Sequence, residues 1–307
     1  MSDFFNNGWS LFIAATTVIG LLGCLWLLWV ASKRQPMAGD NSTGHVFDED
    51  LVEMNNPLPR WWMGLFILTV IFGFAYVGLY GGLGSSRGLL GWTSEGELNA
   101  DQTLTAATVA KAYAPFKGLP AAQLSHNPQA MAIGERLFAT HCAACHGSDA
   151  KGSKGFPNLT DSDWLHGGTP EKIEESITDG RIGMMPPMAA AVGTPEDVRN
   201  VAHYVLSLSG SAHNAIYATA GQPKFAVCAA CHGADGKGNH ALGSANLTDK
   251  VWLHGWGEAA IVDMVTHGKT NVMPSQKGRL TPDQIHVLAT YVWGMSNPST
   301  VATALTP

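Results

Sequence analysis

The chain has 307 residues, of which 46% are apolar and only 14% charged, with a formal net charge of −6. Soluble proteins are about a quarter charged, so either much of this chain is buried or part of it sits in lipid. The acidic balance and the lack of any Lys/Arg run exclude a nucleic-acid partner, and the length suits about two domains.

After a short tail (1–8), residues 9–31 (WSLFIAATTVIGLLGCLWLLWVA) carry no charge. About 20 apolar residues suffice to span the hydrocarbon core as a helix. A cleaved signal peptide fits poorly. The tail MSDFFNNG has Asp3 and no Lys or Arg, and the apolar run exceeds the usual core of about 7–15 residues. A second uncharged run, 61–84, also spans. Trp9, Trp29, Trp61 and Trp62 near the ends of the two runs fit an interfacial aromatic belt. Lys33 and Arg34 follow the first span and Arg60 precedes the second. The positive-inside rule therefore makes residues 32–60 a cytoplasmic loop and puts everything after about residue 84 on the other side. Gly78 and Gly82 form a GxxxG pattern, a weak signal for close helix contact.

Residues 85–125 read as an alanine-rich linker, helical in part around Leu98 to Tyr113. The chain then repeats itself. PNLTDSDWLHGG at 157 matches ANLTDKVWLHGW at 245, and GRIGMMPP at 180 matches GKTNVMPS at 268, both at an offset of 88. TPEDVRNVAHYVLSL at 194 matches TPDQIHVLATYVWGM at 281, an offset of 87. Two units of about 85 residues, too long for a solenoid repeat, are expected at 126–210 and 211–300, followed by a tail (301–307). Each unit reads as helical. Thr194-Pro195 and Thr281-Pro282 are helix starts, and Val198, Val201, Ala202, Val205 and Leu206 keep the helical period. The predicted fold is all-α: two N-terminal transmembrane helices, then two tandem class I cytochrome c domains.

That last assignment comes from CAACH, present at 142–146 and again at 228–232. Four of the five cysteines lie in these two copies; Cys24 lies in the first apolar run. C-x-x-C-H is the attachment signature of c-type haem. Cysteines three apart share one helix face, so their sulfurs can add to both vinyl groups of one porphyrin while the adjacent histidine meets the iron. Cys142 and Cys145 would attach one haem with His146 as axial ligand. Cys228, Cys231 and His232 would hold the second. A redox dithiol lacks its usual βαβ setting here. A zinc site would need the pairs about 15–20 residues apart, not 86 (142 to 228).

Each iron then needs a sixth ligand. Methionine opposite histidine raises the potential and suits electron transfer. The repeat selects Met185 and Met273, each followed by proline; Met184 and Met188 have no counterpart in the second unit. Whether each methionine serves its own unit's haem or its neighbour's stays open. His166, His254 and His267 read as ordinary histidines. Trp164 and Trp252 match across the repeat, which suits haem-edge packing or core packing alike. Arg181 and Lys269 are candidates to pair with haem propionates.

NNPLPRWW (55–62), LYGGLGSSRGLLGWTS (79–94) and the two CAACH units together make the chain resemble the dihaem subunit (CcoP or FixP) of cbb-type haem–copper cytochrome c oxidases. The family often has one span where this chain has two, and proline where Gly81 stands. The resemblance implies a protein of the bacterial inner membrane with its haem domains in the periplasm. It implies two covalent haem c groups, a soluble donor cytochrome c, a monohaem cytochrome c subunit as acceptor, and a separate catalytic haem–copper subunit. Oxygen would be reduced, and protons pumped, in that catalytic subunit. The rival readings are a membrane-tethered dihaem carrier for a dehydrogenase and, further off, a dihaem peroxidase.

Overall fold

A computed structural model describes residues 6–33, 37 and 39–297. Asp3, Arg34 and the tail 301–307, used in the expectations above, lie outside the described residues. The chain divides into two compact units, Met1–Thr108 and Val109–Pro307.

The first unit holds both apolar helices. Helix α1 spans Asn7–Ser32, capped by the Asn6 side chain accepting from the Trp9 N–H, and α2 spans Arg60–Tyr80. Their most apolar stretches have mean hydropathies of 2.3 and 2.0, and both are long enough to cross a membrane. Most of their residues are exposed; only Leu28 and Val70 are buried. The two helices meet where a Cβ on Gly73 would lie 3.2 Å from Leu21 Cδ2, and in the turn beyond α2 the Ser85 N–H donates to Ser10 Oγ of α1 at 2.7 Å. The GxxxG pair does not make this contact: a Cβ on Gly78 would meet open space, and one on Gly82 would meet Val77 of its own helix. Gly81 ends α2 with φ +80°, a value proline cannot adopt, so the chain turns here in a way a proline at this position would forbid.

The loop between the spans is not irregular throughout. It contains a hairpin of β1 (Ser42–Phe47) and β2 (Leu51–Met54), paired Val46 to Val52 and Phe47 to Leu51. Beyond α2, helix α3 (Ser94–Tyr113) is polar and mostly exposed.

In the second unit, α4 (Ala121–Leu124) leads into α5 (Pro128–His141) and α6 (Ala143–His146). Then follow α7 (Pro170–Asp179), β3 (Arg181–Met185), α8 (Ala189–Val192) and α9 (Pro195–Leu208). The second half repeats the order with α10 (Ala215–Gly221), α11 (Ala226–His232), α12 (Glu258–His267), β4 (Lys269–Met273) and α13 (Pro282–Ser296). Helices α9 and α13 start with full capping boxes, Thr194 with Asp197 and Thr281 with Gln284, each satisfying two orphan N–H groups.

The apolar faces of α9 and α13 pair across the halves. Helix α5 crosses α13 at Gly134, where a Cβ would fall 2.5 Å from Tyr291 Cβ. Helix α10 crosses α9 at Gly221, where a Cβ would fall 2.1 Å from Asn200 O. One core combines Phe138, Ile173 and Ile177 with Ile285, Leu288 and Val292. The other combines Val198, Val201, Val205 and Leu206 with Phe225, Ile261 and Val265. Each half therefore supplies its terminal helix to the other half's core. A third cluster, with Phe116, Leu124 and Val287, packs the end of the 85–125 segment beneath α13. Between the cores β3 and β4 form an antiparallel ribbon, Arg181 opposite Met273 and Met185 opposite Lys269, centred on Gly183 and Asn271. Among the described residues the regular elements other than the two short ribbons are helices.

Candidate haem sites

Each CAACH segment closes one helical turn. His146 N–H donates to Cys142 O at 2.9 Å, and the turn ends at Gly147 with φ +80°. In the second copy α11 ends at Gly233 with φ +78°. His146 is buried, and its Nδ1 lies 3.0 Å from Pro157 O. His232 Nδ1 lies 2.9 Å from Ala245 O, the repeat counterpart of Pro157. A carbonyl only accepts, so Nδ1 carries the proton and Nε2 keeps its lone pair for a ligand.

In the CAACH segments Cys142 and Cys228 are half-buried and Cys145 and Cys231 exposed. Burial, reinforced by Cys145, pushes the Cys142 thiol up to about 11; burial, reinforced by Cys231, raises Cys228 as well. A redox dithiol needs its reactive thiol shifted the other way. Among the described residues no three His, Cys, Asp or Glu side chains converge on a common point. Neither the dithiol nor the zinc reading gains support.

The two methionines end the two strands of the ribbon. Met273, like Cys142 and Ala143, packs against the core built on Phe138, while Met185, like Cys228 and Ala229, packs against the core built on Phe225. Each methionine thus borders the same core as the CAACH segment of the opposite half. Strand alternation turns Met184 to the other face, where it is largely exposed. Met188 also packs on the second core.

Two glycines allow the crossing. A Cβ on Gly180 (φ +75°) would fall 2.4 Å from Met273 O, and one on Gly268 (φ +70°) would fall 2.5 Å from Met185 O. Beyond the Met-Pro pairs, Met188 N–H donates to Val265 O at 2.8 Å and Gln276 N–H to Ile177 O at 3.0 Å. Sequence reasoning passed over Gly180 and Gly268, though their shared offset of 88 (180 to 268) was visible. Pro157 and Ala245 act through backbone carbonyls, which no side-chain pattern marks.

The remaining candidates separate clearly. His254 Nε2 lies 2.7 Å from Asn271 Nδ2, and exposed His267 pairs with Asp263 at 2.8 Å. His166 packs against Gly243, and burial, then Arg181, lowers its pKa. Trp164 packs on the first core and Trp252 on the second. Arg181 donates from Nη1 to Glu175 at 2.8 Å and from Nε to Ser176 Oγ at 2.9 Å, while its buried Nη2 has no partner. The Trp252 Nε1 is likewise buried and unpartnered, whereas Lys269 is exposed. A buried N–H without an acceptor is costly. One such donor lies by each core, Arg181 across the ladder from Met273 and Trp252 against the second core. Haem propionates would satisfy both, so the residues present fit a haem in each core.

Comparison with known proteins agrees with this chemistry. Residues 39–87 match the family model described as the N-terminal domain of cytochrome oxidase-cbb3, FixP. Residues 129–205 and 217–292 match the model for cytochrome c oxidase, cbb3-type, subunit III. The chain is 63% identical over 302 residues to the cbb3-type cytochrome c oxidase subunit CcoP of Rubrivivax gelatinosus, covering 98% of this chain and 99% of the relative. It is 40% identical to a FixP subunit of Azorhizobium caulinodans (83% and 92% covered) and 35% identical to a CcoP subunit of Cereibacter sphaeroides (87% and 98%).

Proposed function

The chain belongs to the CcoP/FixP family of cbb3-type cytochrome c oxidase subunits, and from that premise we propose a two-haem electron relay in which each half supplies the sixth ligand to the other half's haem. It is a membrane-anchored electron-transfer subunit with tandem cytochrome c domains. The observation that carries the relay is the exchange of strands: Met273 on the Cys142 core and Met185 on the Cys228 core.

Haem iron supplies a one-electron couple, and His–Met ligation keeps its potential high without an open position. Cys142 and Cys145 would hold one haem covalently, with His146 Nε2 and Met273 as axial ligands. Cys228 and Cys231 would hold the other, with His232 and Met185. The carbonyls of Pro157 and Ala245 fix the imidazole planes. The glycine crossings and backbone bonds hold each Met-Pro segment in place, which disfavours a peroxidase that must release a ligand.

In this reading the haem domains face the periplasm, with electrons arriving from a soluble donor cytochrome c. They pass to the monohaem cytochrome c subunit, then to the catalytic haem–copper subunit that reduces oxygen and pumps protons. The test is a reduced-minus-oxidised spectrum with metal analysis on gently extracted complex. Haem c accompanied by haem b and copper is expected. Haem c alone after mild extraction would favour a tethered carrier for another enzyme. A reporter enzyme active only outside the cytoplasm, fused after residue 84, is expected to be active.

A further inference from the structure

We infer that the β1–β2 hairpin is a docking element for another protein subunit of the oxidase, one that presents a basic surface to the hairpin tip. The inference rests on the family membership above, which implies further oxidase subunits.

A lone two-stranded hairpin is marginally stable in water at best. This one gains little cover from its own unit: Gly44–Phe47 and Leu51–Met54 are all exposed. It nevertheless exposes apolar pairs. Val46 and Val52 pair on one face, 55% and 40% exposed, with Met54 44% exposed; next to the tip Phe47 and Leu51 pair on the other, 51% and 62% exposed, while Thr43, His45 and Glu53 make the rest of that second face polar. A strand pair meant for solvent alternates so that its exposed pairs are polar. The Val46–Val52–Met54 face and the Phe47–Leu51 pair beside the tip call for an occupant that covers them.

Charge selects the occupant. Residues 39–59 contain Asp40, Asp48, Glu49, Asp50 and Glu53 and no Lys or Arg. Three of these acids are consecutive at the tip, where Asp48 and Glu49 take positive φ. Anionic headgroups would repel such a tip, and a second copy would bring like charges together. A protein surface carrying Lys or Arg is attracted instead.

Connectivity fixes where that surface must be. The base of the hairpin is closed by Asn55 N–H to Asn41 O at 2.8 Å and by Asn41 Nδ2 to Asn55 O at 3.2 Å. Only residues 56–59, stiffened by Pro57 and Pro59, separate it from the start of α2 at Arg60. The hairpin is therefore held at the membrane surface, where another membrane subunit can meet it. Hairpin and second span also fall in one matched family segment, 39–87.

A photoreactive amino acid at Leu51 in the full chain, irradiated in native membranes, tests the contact. The expected adduct is with another oxidase subunit, at a peptide containing Lys or Arg. Adducts confined to lipid, or to a second copy of this chain, would overturn the inference. In parallel, Phe47→Ser with Leu51→Ser removes the apolar pair of one face. Haem b and copper retained per haem c after mild extraction should fall roughly tenfold, the scale of losing a buried interface anchor. Haem c content of the membranes should not change. An unchanged ratio would also overturn it. If the unaltered protein itself extracts without haem b and copper, the subunit reading fails instead, whatever the hairpin does. Should the variant not accumulate, the cross-link still decides.

Discussion

Replacing Gly268 with alanine should disturb Met185, the proposed haem ligand that lies 83 residues earlier in the chain (Met185 to Gly268). Gly268 ends α12 with φ +70°. A Cβ there would sit 2.5 Å from Met185 O, 2.8 Å from Pro187 N and 2.9 Å from Pro186 C, all backbone atoms. The left-handed conformation costs a side-chain-bearing residue roughly 1–2 kcal/mol. Forcing atoms into packed space adds about 1–3 kcal/mol. The cheapest relief is retreat of the Met185–Pro187 strand by most of an ångström, which draws the thioether away from the core that holds Cys228. The total of about 2–5 kcal/mol, in a unit of roughly 200 residues, lowers the melting midpoint by roughly 4–20 °C. The assay is thermal unfolding of the detergent-extracted protein, together with the methionine–iron charge-transfer band of the oxidised state. Gly268→Ala should reproduce the spectral change of Met185→Leu and not that of Met273→Leu. A variant that melts and absorbs like the parent, or that mimics Met273→Leu, would refute the exchanged-strand arrangement.

Other outcomes follow from the same geometry. Met273→Leu should lower the potential of the haem proposed at Cys142 and Cys145, read by redox titration in a background whose other proposed attachment cysteines are replaced by serine; an effect confined to the haem proposed at Cys228 would contradict the pairing. Thr194→Ala and Thr281→Ala each remove a capping-box hydroxyl and should cost about 1 kcal/mol in unfolding measurements. Gly134→Ala sets a methyl 2.5 Å from Tyr291 Cβ and should destabilise by about 1–3 kcal/mol, whereas alanine at open Gly183 should be nearly neutral. Hydrogen bonds from Lys172 and Arg181 hold the Glu175 carboxyl down at about 2, against an ordinary value of 4.5. A lowered carboxyl stabilises the fold above the ordinary value and loses that contribution as the pH falls toward 2. Glu175→Gln should therefore narrow its difference from the parent across pH 5 to 2, and a constant difference would show that the ion pair contributes nothing.

Much of this molecule can be read from its residues. Two uncharged runs, two CAACH segments and the Thr-Pro helix starts are local signals, each recognisable without knowing the partner. The exchange between halves is not of that kind. Hydrophobic spacing says that Val198, Val201 and Val205 share a face, but not which helix covers it. Duplication makes the difficulty worse: α9 and α13 descend from one pattern, so either could close either core. The choice is made by backbone proximity at Gly134, Gly180, Gly221 and Gly268, where the residue's meaning lies in what it lacks. The hairpin at 42–54 was missed because Asp48 and Glu49 make its turn, and neither announces a positive φ as Asn-Gly would. Strand β3, RIGMM, is too short to show a period of two.

The exchanged helices also impose an order on how the protein is made. The core around Cys228 is assembled from a continuous stretch, β3 through α12, and every piece of it exists once residue 267 has emerged. The core around Cys142 is nested outside it, begun by α5 and completed only by β4 and α13. The first CAACH segment to leave the ribosome thus waits for α13. Until that helix arrives the core beside Cys142 has only its α5 and α7 side, while the core beside Cys228 forms among partners already present.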